Sequence, residues 1–351
     1  MRKGVSMKWV VLCLLVAFSF VVASSAGAQG LKPLADGFPK RALTIVVVDD
    51  PGTRDDLYAK SLQQALTSIS PVPIMVVTEP LASGGTFHKM QELQRRQGGK
   101  DGYYPVVVSS WGPPSDLLVE PLGKELGVDL SDVSMVIRTE SQEKAILQKK
   151  NAPWGPTFAG MVKYGKANPG KLRYISREVG SGFDIIMEWI LQEVGVKVEK
   201  IPSGAHEAIA ATVGAGEGDF CLSPAQVALT NWQAGKVDVT VVTGPVVPPP
   251  WDKDPNCVSS DKAGLPKVAL GTILGIGVPK GVPKEHIDWL FNLFKAAAAT
   301  DVYRNRAKMI PALNIEVLNP AEANAEMKKI YEICDPVVRA LGMHWEQTQK
   351  K

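Results

Sequence analysis

Five short polar loops carry the residue types that could hold a negatively charged group: Gly52-Thr53-Arg54 with Asp56, Ser83-Gly84-Gly85-Thr86, Ser109-Ser110-Trp111, Ser176 with Gly180-Ser181, and Ser203-Gly204 with His206. Glycine lets the backbone approach a bound group closely, and serine and threonine hydroxyls supply donors. Arg54 is the one cation in the first loop, and its planar guanidinium suits a two-pronged grip on a carboxylate. A loop that opens a helix adds unpaired amides and the positive end of the helix dipole. The chemistry open to such a set is recognition of a small anion.

The same residues have competing uses. Thr53 with Asp56, and Ser181 with Asp184, stand at capping spacing, so their hydroxyls can close a helix while the neighbouring amides bind. Asp49, Asp50, Asp55 and Asp56 crowd the first loop. They repel an anion unless they face solvent, pair with Arg54 or meet an amine on the bound molecule. Catalytic patterns are thin: Ser181 follows Val179-Gly180, without the first glycine of a nucleophile elbow. A serine hydrolase using Ser181 and His206 is kept as the alternative. His88, His206, His286 and His344 show no spacing that names a partner, no metal-ligand set appears, and no Gly-Lys-Ser or Gly-Lys-Thr phosphate loop exists. No catalytic residue, metal or cofactor is expected.

The elements that must position these loops are legible as α/β units. Residues 43–48 form an apolar run that ends at Asp49-Asp50-Pro51-Gly52, and residues 55–69 then place apolar side chains at helical spacing. Strands at 74–77 and 106–108 repeat the pattern, each ending at one of the polar loops. In open parallel sheets, ligands bind outside the carboxyl ends of the strands. A second set follows: a crossover strand at 133–137, a helix at 157–167, a strand at 172–176, a helix at 184–194, then strands at 196–201, 219–222 and 237–242 with a helix at 207–213. Residues 246–257, with Pro248-Pro249-Pro250 and Pro255, read as a surface connection. A strand at 270–278 and amphipathic helices at 283–299 and 320–341 close the chain. If these return to the first sheet, the chain crosses between two domains twice, the wiring of a hinge.

Arg2, Lys3 and Lys8, the apolar stretch 9–23 and Ala26-Gly27-Ala28 read as an export signal cut after Ala28. Losing those three cations takes the formal charge from +3 to neutral, which leaves no electrostatic footprint for nucleic acid or an anionic membrane. The length fits two domains with ample cores. Beyond the signal only Cys221, Cys257 and Cys334 remain; a Cys257–Cys334 bridge and three buried thiols are both open.

The order of motifs resembles the extracytoplasmic solute receptors of tripartite tricarboxylate transporters, the Bug-type binding proteins. Their first loop corresponds to Pro51-Gly52-Thr53-Arg54-Asp55-Asp56, their second to Ala82-Ser83-Gly84-Gly85-Thr86, and their Asp-Gly-Tyr stands intact as Asp101-Gly102-Tyr103. Ala167-Asn168-Pro169-Gly170-Lys171-Leu172, Gly180-Ser181, Ile201-Pro202-Ser203-Gly204, Ala234-Gly235-Lys236 and Val278-Pro279-Lys280-Gly281-Val282-Pro283 continue the series. The resemblance implies an α/β, two-lobed periplasmic-binding-protein (Venus-flytrap, type II) fold with two doubly wound sheets and a two-crossing hinge. It divides the chain into a signal at 1–28, a first lobe at 29–137 to which 270–351 return, and a second lobe at 138–269. It also implies a periplasmic monomer that delivers a small organic acid to membrane transporter subunits. Departures fall at the site, where Arg54 and Asp49-Asp50 replace the usual residues and Ser203 stands in place of tyrosine.

Overall fold

A computed structural model describes residues 31–81, 85–204, 206–265 and 271–349; the expected export signal lies outside them, as do Ser83 and Gly84. The first lobe opens with β1 (Leu43–Val47), α1 (Arg54–Leu66), β2 (Ile74–Thr78), α2 (Gly85–Arg95) and β3 (Val106–Ser109). β1 reads Leu-Thr-Ile-Val-Val, the β-branched run of a strand covered on both faces. α1 buries Tyr58, Ala59, Leu62, Ala65 and Leu66 on the stripe its spacing predicts.

After an irregular helical passage over 112–119 come β4 (Val133–Gln142) and β5 (Lys144–Lys149). The second lobe continues with α3 (Phe158–Ala167), β6 (Leu172–Ser176), α4 (Gly182–Glu193), β7 (Val198–Pro202), α5 (His206–Gly214), β8 (Phe220–Pro224), α6 (Ala225–Gln233), β9 (Val237–Val242) and β10 (Val258–Ser259). β11 (Thr272–Pro279), α7 (Lys284–Ala299), β12 (Leu313–Leu318) and α8 (Pro320–Ala340) complete it.

The strands form two mixed six-stranded sheets, ordered β12-β4-β11-β3-β1-β2 and β10-β9-β5-β8-β6-β7. In each, three parallel strands are followed by an antiparallel one: β11 beside β3 in the first sheet, β5 beside β8 in the second. Both antiparallel strands enter directly from the other lobe. The two crossings therefore occupy equivalent places, and the strand ends of both sheets face one cleft.

β4 runs past the expected strand end at Ile137, through Arg138, Thr139 and Glu140 to Gln142 inside the first sheet. Those polar residues look like a loop in sequence, yet they are buried in a network. Arg306 donates through Nη2 to Glu140 Oε1 at 3.1 Å, and the Tyr303 hydroxyl donates to Glu140 Oε2 at 2.9 Å. Thr139 links Tyr303 to Tyr58, at 2.9 and 2.7 Å. Arg306 Nη1 also reaches Leu57 O and Ser61 Oγ, at 3.2 and 2.6 Å, so the network fastens α1 to β4.

α8 serves both lobes. Its start packs Ala323 and Met327 with first-sheet residues such as Val133 and Met135; farther on, Ile330, Cys334 and Val338 join a core with Ile186, Ile190 and Phe220 of the second lobe. A helix of 21 residues spans roughly 30 Å at 1.5 Å per residue, enough to leave one sheet and reach the other. No helix among the described residues is long and apolar enough to cross a membrane.

One expectation needs correcting: the proline-rich connection is not confined to the surface, since Trp251 is wholly buried in a core with Cys257. Of the two open readings of the cysteines, the three buried thiols hold and the Cys257–Cys334 bridge does not: Cys221, Cys257 and Cys334 are free and buried, with Cys257 and Cys334 in separate cores. Burial pushes the Cys257 and Cys334 thiols up to about 12 and Cys221 higher still. These thiols should stay silent to a thiol reagent in the native protein at pH 8 and react only on unfolding; rapid labelling of the folded protein would contradict this burial.

Candidate functional site in the cleft between the sheets

The helix starts of both lobes are set by the same device. Gly52 and Gly180 take left-handed conformations, φ +84° and +83°, which an L side chain rarely adopts. The Gly52 amide donates to Asp56 Oδ2 at 2.7 Å, and the Gly180 amide donates to Asp184 Oδ2 at 2.9 Å. Each aspartate is fully buried and meets a lysine, Lys60 or Lys200, at 2.7 Å. Burial opposes ionisation of Asp56, but Lys60, the Gly52 amide and Thr78 outweigh it and hold its carboxyl below the usual range.

Between these helix starts lies a cavity of about 370 Å³. Its wall includes the first turns of α1, α2 and α4, through Arg54 and Asp55, Gly85 and Thr86, and Gly182 and Phe183. Ser109 at the end of β3, Trp111 beyond it, Arg177 and Ser181 before α4, and Thr272 of β11 also line it. Arg54 donates to Asp55 Oδ1 through Nε and Nη2, at 2.9 and 2.7 Å, and Nη2 lies 3.4 Å from Ser109 Oγ. The Trp111 indole donates to Gly271 O at 2.9 Å, which fixes this ring against the second crossing. A larger groove, about 850 Å³, runs along α8 and the C-terminal turn, and it contains none of the five loops.

Of the residues singled out from sequence, Arg54, Gly85, Thr86, Ser109, Trp111 and Ser181 come together on this wall. Gly52, Thr53, Asp56, Ser110, Ser176, Gly180, Ser203, Gly204 and His206 do not, and for most of them the structure gives a reason. Thr53 makes no cap; its hydroxyl donates to Asp50 O. Ser110 Oγ accepts from the Ile273 amide, tying β3 to β11. Ser176 donates to Arg177 O, and Ser176 O accepts from the Ser203 amide. Ser181 caps α4 by accepting from the Asp184 amide at 3.3 Å. No hydrogen bond joins Ser181 to His206 among the described residues, and nothing in the site supports the hydrolase.

Sequence reasoning missed part of the wall. Asp116 and Thr272 carried no motif, and Asp49, Asp50 and Asp55 were read as a crowd that repels an anion unless it faces solvent, pairs with Arg54 or meets an amine; all five line the cavity, and Asp55 pairs with Arg54. Burial, then the Asp55 charge, raises the Asp49 carboxyl above its ordinary range. Lys144, outside the cavity lining, stands behind two of its rings. It heads β5 at the first crossing, is only 1% exposed, and holds Nζ 5.6 Å from the Trp111 ring centre and 5.0 Å from that of Phe183. Its only sequence signal was a lysine opening the apolar run Ala145-Ile146-Leu147.

The comparisons with known proteins agree with this architecture. The family described as the tripartite tricarboxylate transporter family receptor matches residues 58–332. A UPF0065 protein of Bordetella pertussis is 26% identical over 169 residues, and that match covers 48% of this chain and 50% of the relative. Among solved structures, the periplasmic binding protein BugD superposes with a TM-score of 0.72 at 20% identity, over 88% of this chain and 99% of its own. MatC from Rhodopseudomonas palustris with bound malate gives 0.69 at 18% identity, over 86% of this chain and 100% of its own.

Proposed function

The chain belongs to the tripartite tricarboxylate transporter receptor family, and we propose that it captures a small organic carboxylate in the cleft between its sheets. The observation that carries this reading is the convergence of three helix starts with the Arg54 and Arg177 guanidiniums on one cavity. Helix starts and guanidiniums both favour a carboxylate over a neutral molecule of the same shape. Malate bound in the R. palustris structure supports the same class.

The receptor works in the periplasm after cleavage following Ala28, as a monomer without catalytic activity, and hands its solute to the membrane subunits of a tripartite transporter. Its first lobe comprises residues 29 to about 142 with 271 onward, and its second the segment between. The carboxylates of Asp49 and Asp55 on the same wall, where the Asp55 charge raises the Asp49 carboxyl, favour a solute that also carries an amine, because an ammonium would relieve that repulsion.

Calorimetry with a panel of organic acids and amino acids tests this reading. Binding without turnover is expected, and an absence of binding across the panel overturns it. Arg54→Ala should weaken binding by about 1–3 kcal/mol, the worth of a charge-assisted hydrogen bond. Unchanged affinity would place Arg54 as a partner of Asp55 alone.

A further inference from the structure

A second cavity, of about 600 Å³, opens on the second lobe between α3, the end of α4 and the turns on either side of β10, and it shares no lining residue with the cleft. Its floor is apolar. Phe158 belongs to the core beneath, and Val162, Val194, Val258 and Ala263 pack on that core while remaining only half-buried. Three exposed cations also line it, Lys163 and Lys166 from α3 and Lys262 from the turn after β10. No aspartate or glutamate does, and none of the three lysines makes an ion pair among the described residues.

The charge here is all of one sign, whereas the cleft wall sets Arg54 and Arg177 against four aspartates and the groove along α8 mixes lysine and arginine with aspartate and glutamate. Lys163 and Lys166 stand three residues apart on one helix, where like charges repel. The start of α3 adds to the positive field. The Thr157 hydroxyl accepts from the Gly160 amide at 3.1 Å, which leaves the amides of Phe158 and Ala159, both lining residues, without an intrahelical partner.

We propose that this cavity is a second binding site, separate from the cleft, for an amphipathic carboxylate: a medium-chain fatty acid with its tail on the Val162 and Val258 floor and its head among Lys163, Lys166 and Lys262. A small polyanion satisfies the lysines and leaves the floor wet; a neutral hydrocarbon covers the floor and leaves the ammonium groups in mutual repulsion. One chain with one carboxylate answers both, and a pocket of this volume, mostly apolar with a few polar groups, suits a ligand of that size. The bound tail bridges α3 to β10, the two-residue strand at the edge of the second sheet, and so fastens that edge.

Calorimetry with dodecanoate below its micelle concentration tests the site on four proteins: the wild type, the combined variant Lys163→Gln, Lys166→Gln and Lys262→Gln, the same three positions changed to arginine, and Arg54→Ala. The expected result is a single site per chain, bound roughly tenfold more weakly by the glutamine variant, retained by the arginine variant and by Arg54→Ala, and not displaced by malate. Absence of binding, or equal affinity in the glutamine variant, overturns the site. Loss of binding in Arg54→Ala overturns it by placing the fatty acid in the cleft. Lysine-dependent binding to phosphatidylglycerol vesicles without binding of free dodecanoate overturns it in favour of a membrane-facing patch. Should the glutamine variant fail to fold, the wild type decides through salt: affinity that falls as ionic strength rises supports the lysine seat, and affinity indifferent to salt overturns it.

Discussion

Glu140→Gln is expected to lower the unfolding free energy by about 3–5 kcal/mol, the cost of removing one charge from a buried ion pair. Glu140 is 1% exposed and takes Arg306 through both carboxylate oxygens. The glutamine keeps the shape but leaves the Arg306 guanidinium in the interior without a counter-charge. It also turns an acceptor of the Tyr303 hydroxyl into a group that cannot satisfy all its neighbours. Because the network holds α1 through Leu57 and Ser61, solute affinity should fall as well. Urea unfolding followed by circular dichroism measures the first effect. Replacing both partners, as in Glu140→Gln with Arg306→Met, should recover part of the loss. A midpoint equal to that of the wild type would show that the pair contributes nothing to stability.

The second large effect is on closure. Gly182 stands where the two walls touch: a Cβ added there would lie 2.4 Å from Trp111 Cβ and 3.0 Å from Trp111 Cγ. Gly182→Ala therefore inserts a methyl group between the lobes, and overpacking of this kind costs about 1–3 kcal/mol. Taken as a cost on closure, this predicts an affinity drop of roughly 5- to 150-fold, as the same free energy dictates. Alanine improves the helical propensity of the first turn of α4 by up to about 1 kcal/mol, so the lobe itself should not be destabilised. Gly204→Ala, where a Cβ meets nothing within 4 Å, is the control. Calorimetry and small-angle scattering together decide: weaker binding with a more open solution shape is expected, and wild-type values in both would refute contact-limited closure.

The parallel half of each sheet was legible because its strands are apolar on both faces and end in glycine, serine or aspartate loops. β1, β3 and β6, with α1 and α4 behind them, follow directly from that alternation. β11 was legible too, but β5 was missed and β4 read short for a physical reason. β5 begins with Lys144 and ends with Lys149, and β4 contains Arg138 and Glu140; their charges are neutralised by partners distant in sequence, such as Arg306. Hydropathy along one segment cannot reveal a partner that far away. The site was legible to the same degree: loops before helices were found, but Thr272, which enters from the second crossing, was not. Within those loops, hydroxyls such as Thr53 and Ser110 are spent on backbone partners that only the folded chain brings near.

The matched glycine–aspartate clamps at Gly52–Asp56 and Gly180–Asp184 bear on how the solute leaves. Each clamp is internal to its lobe, so separating the lobes does not alter the shape of either helix start. Opening changes the distance between two finished halves. The solute then remains seated on one half while the other withdraws, and departure becomes two successive events with separate rate constants.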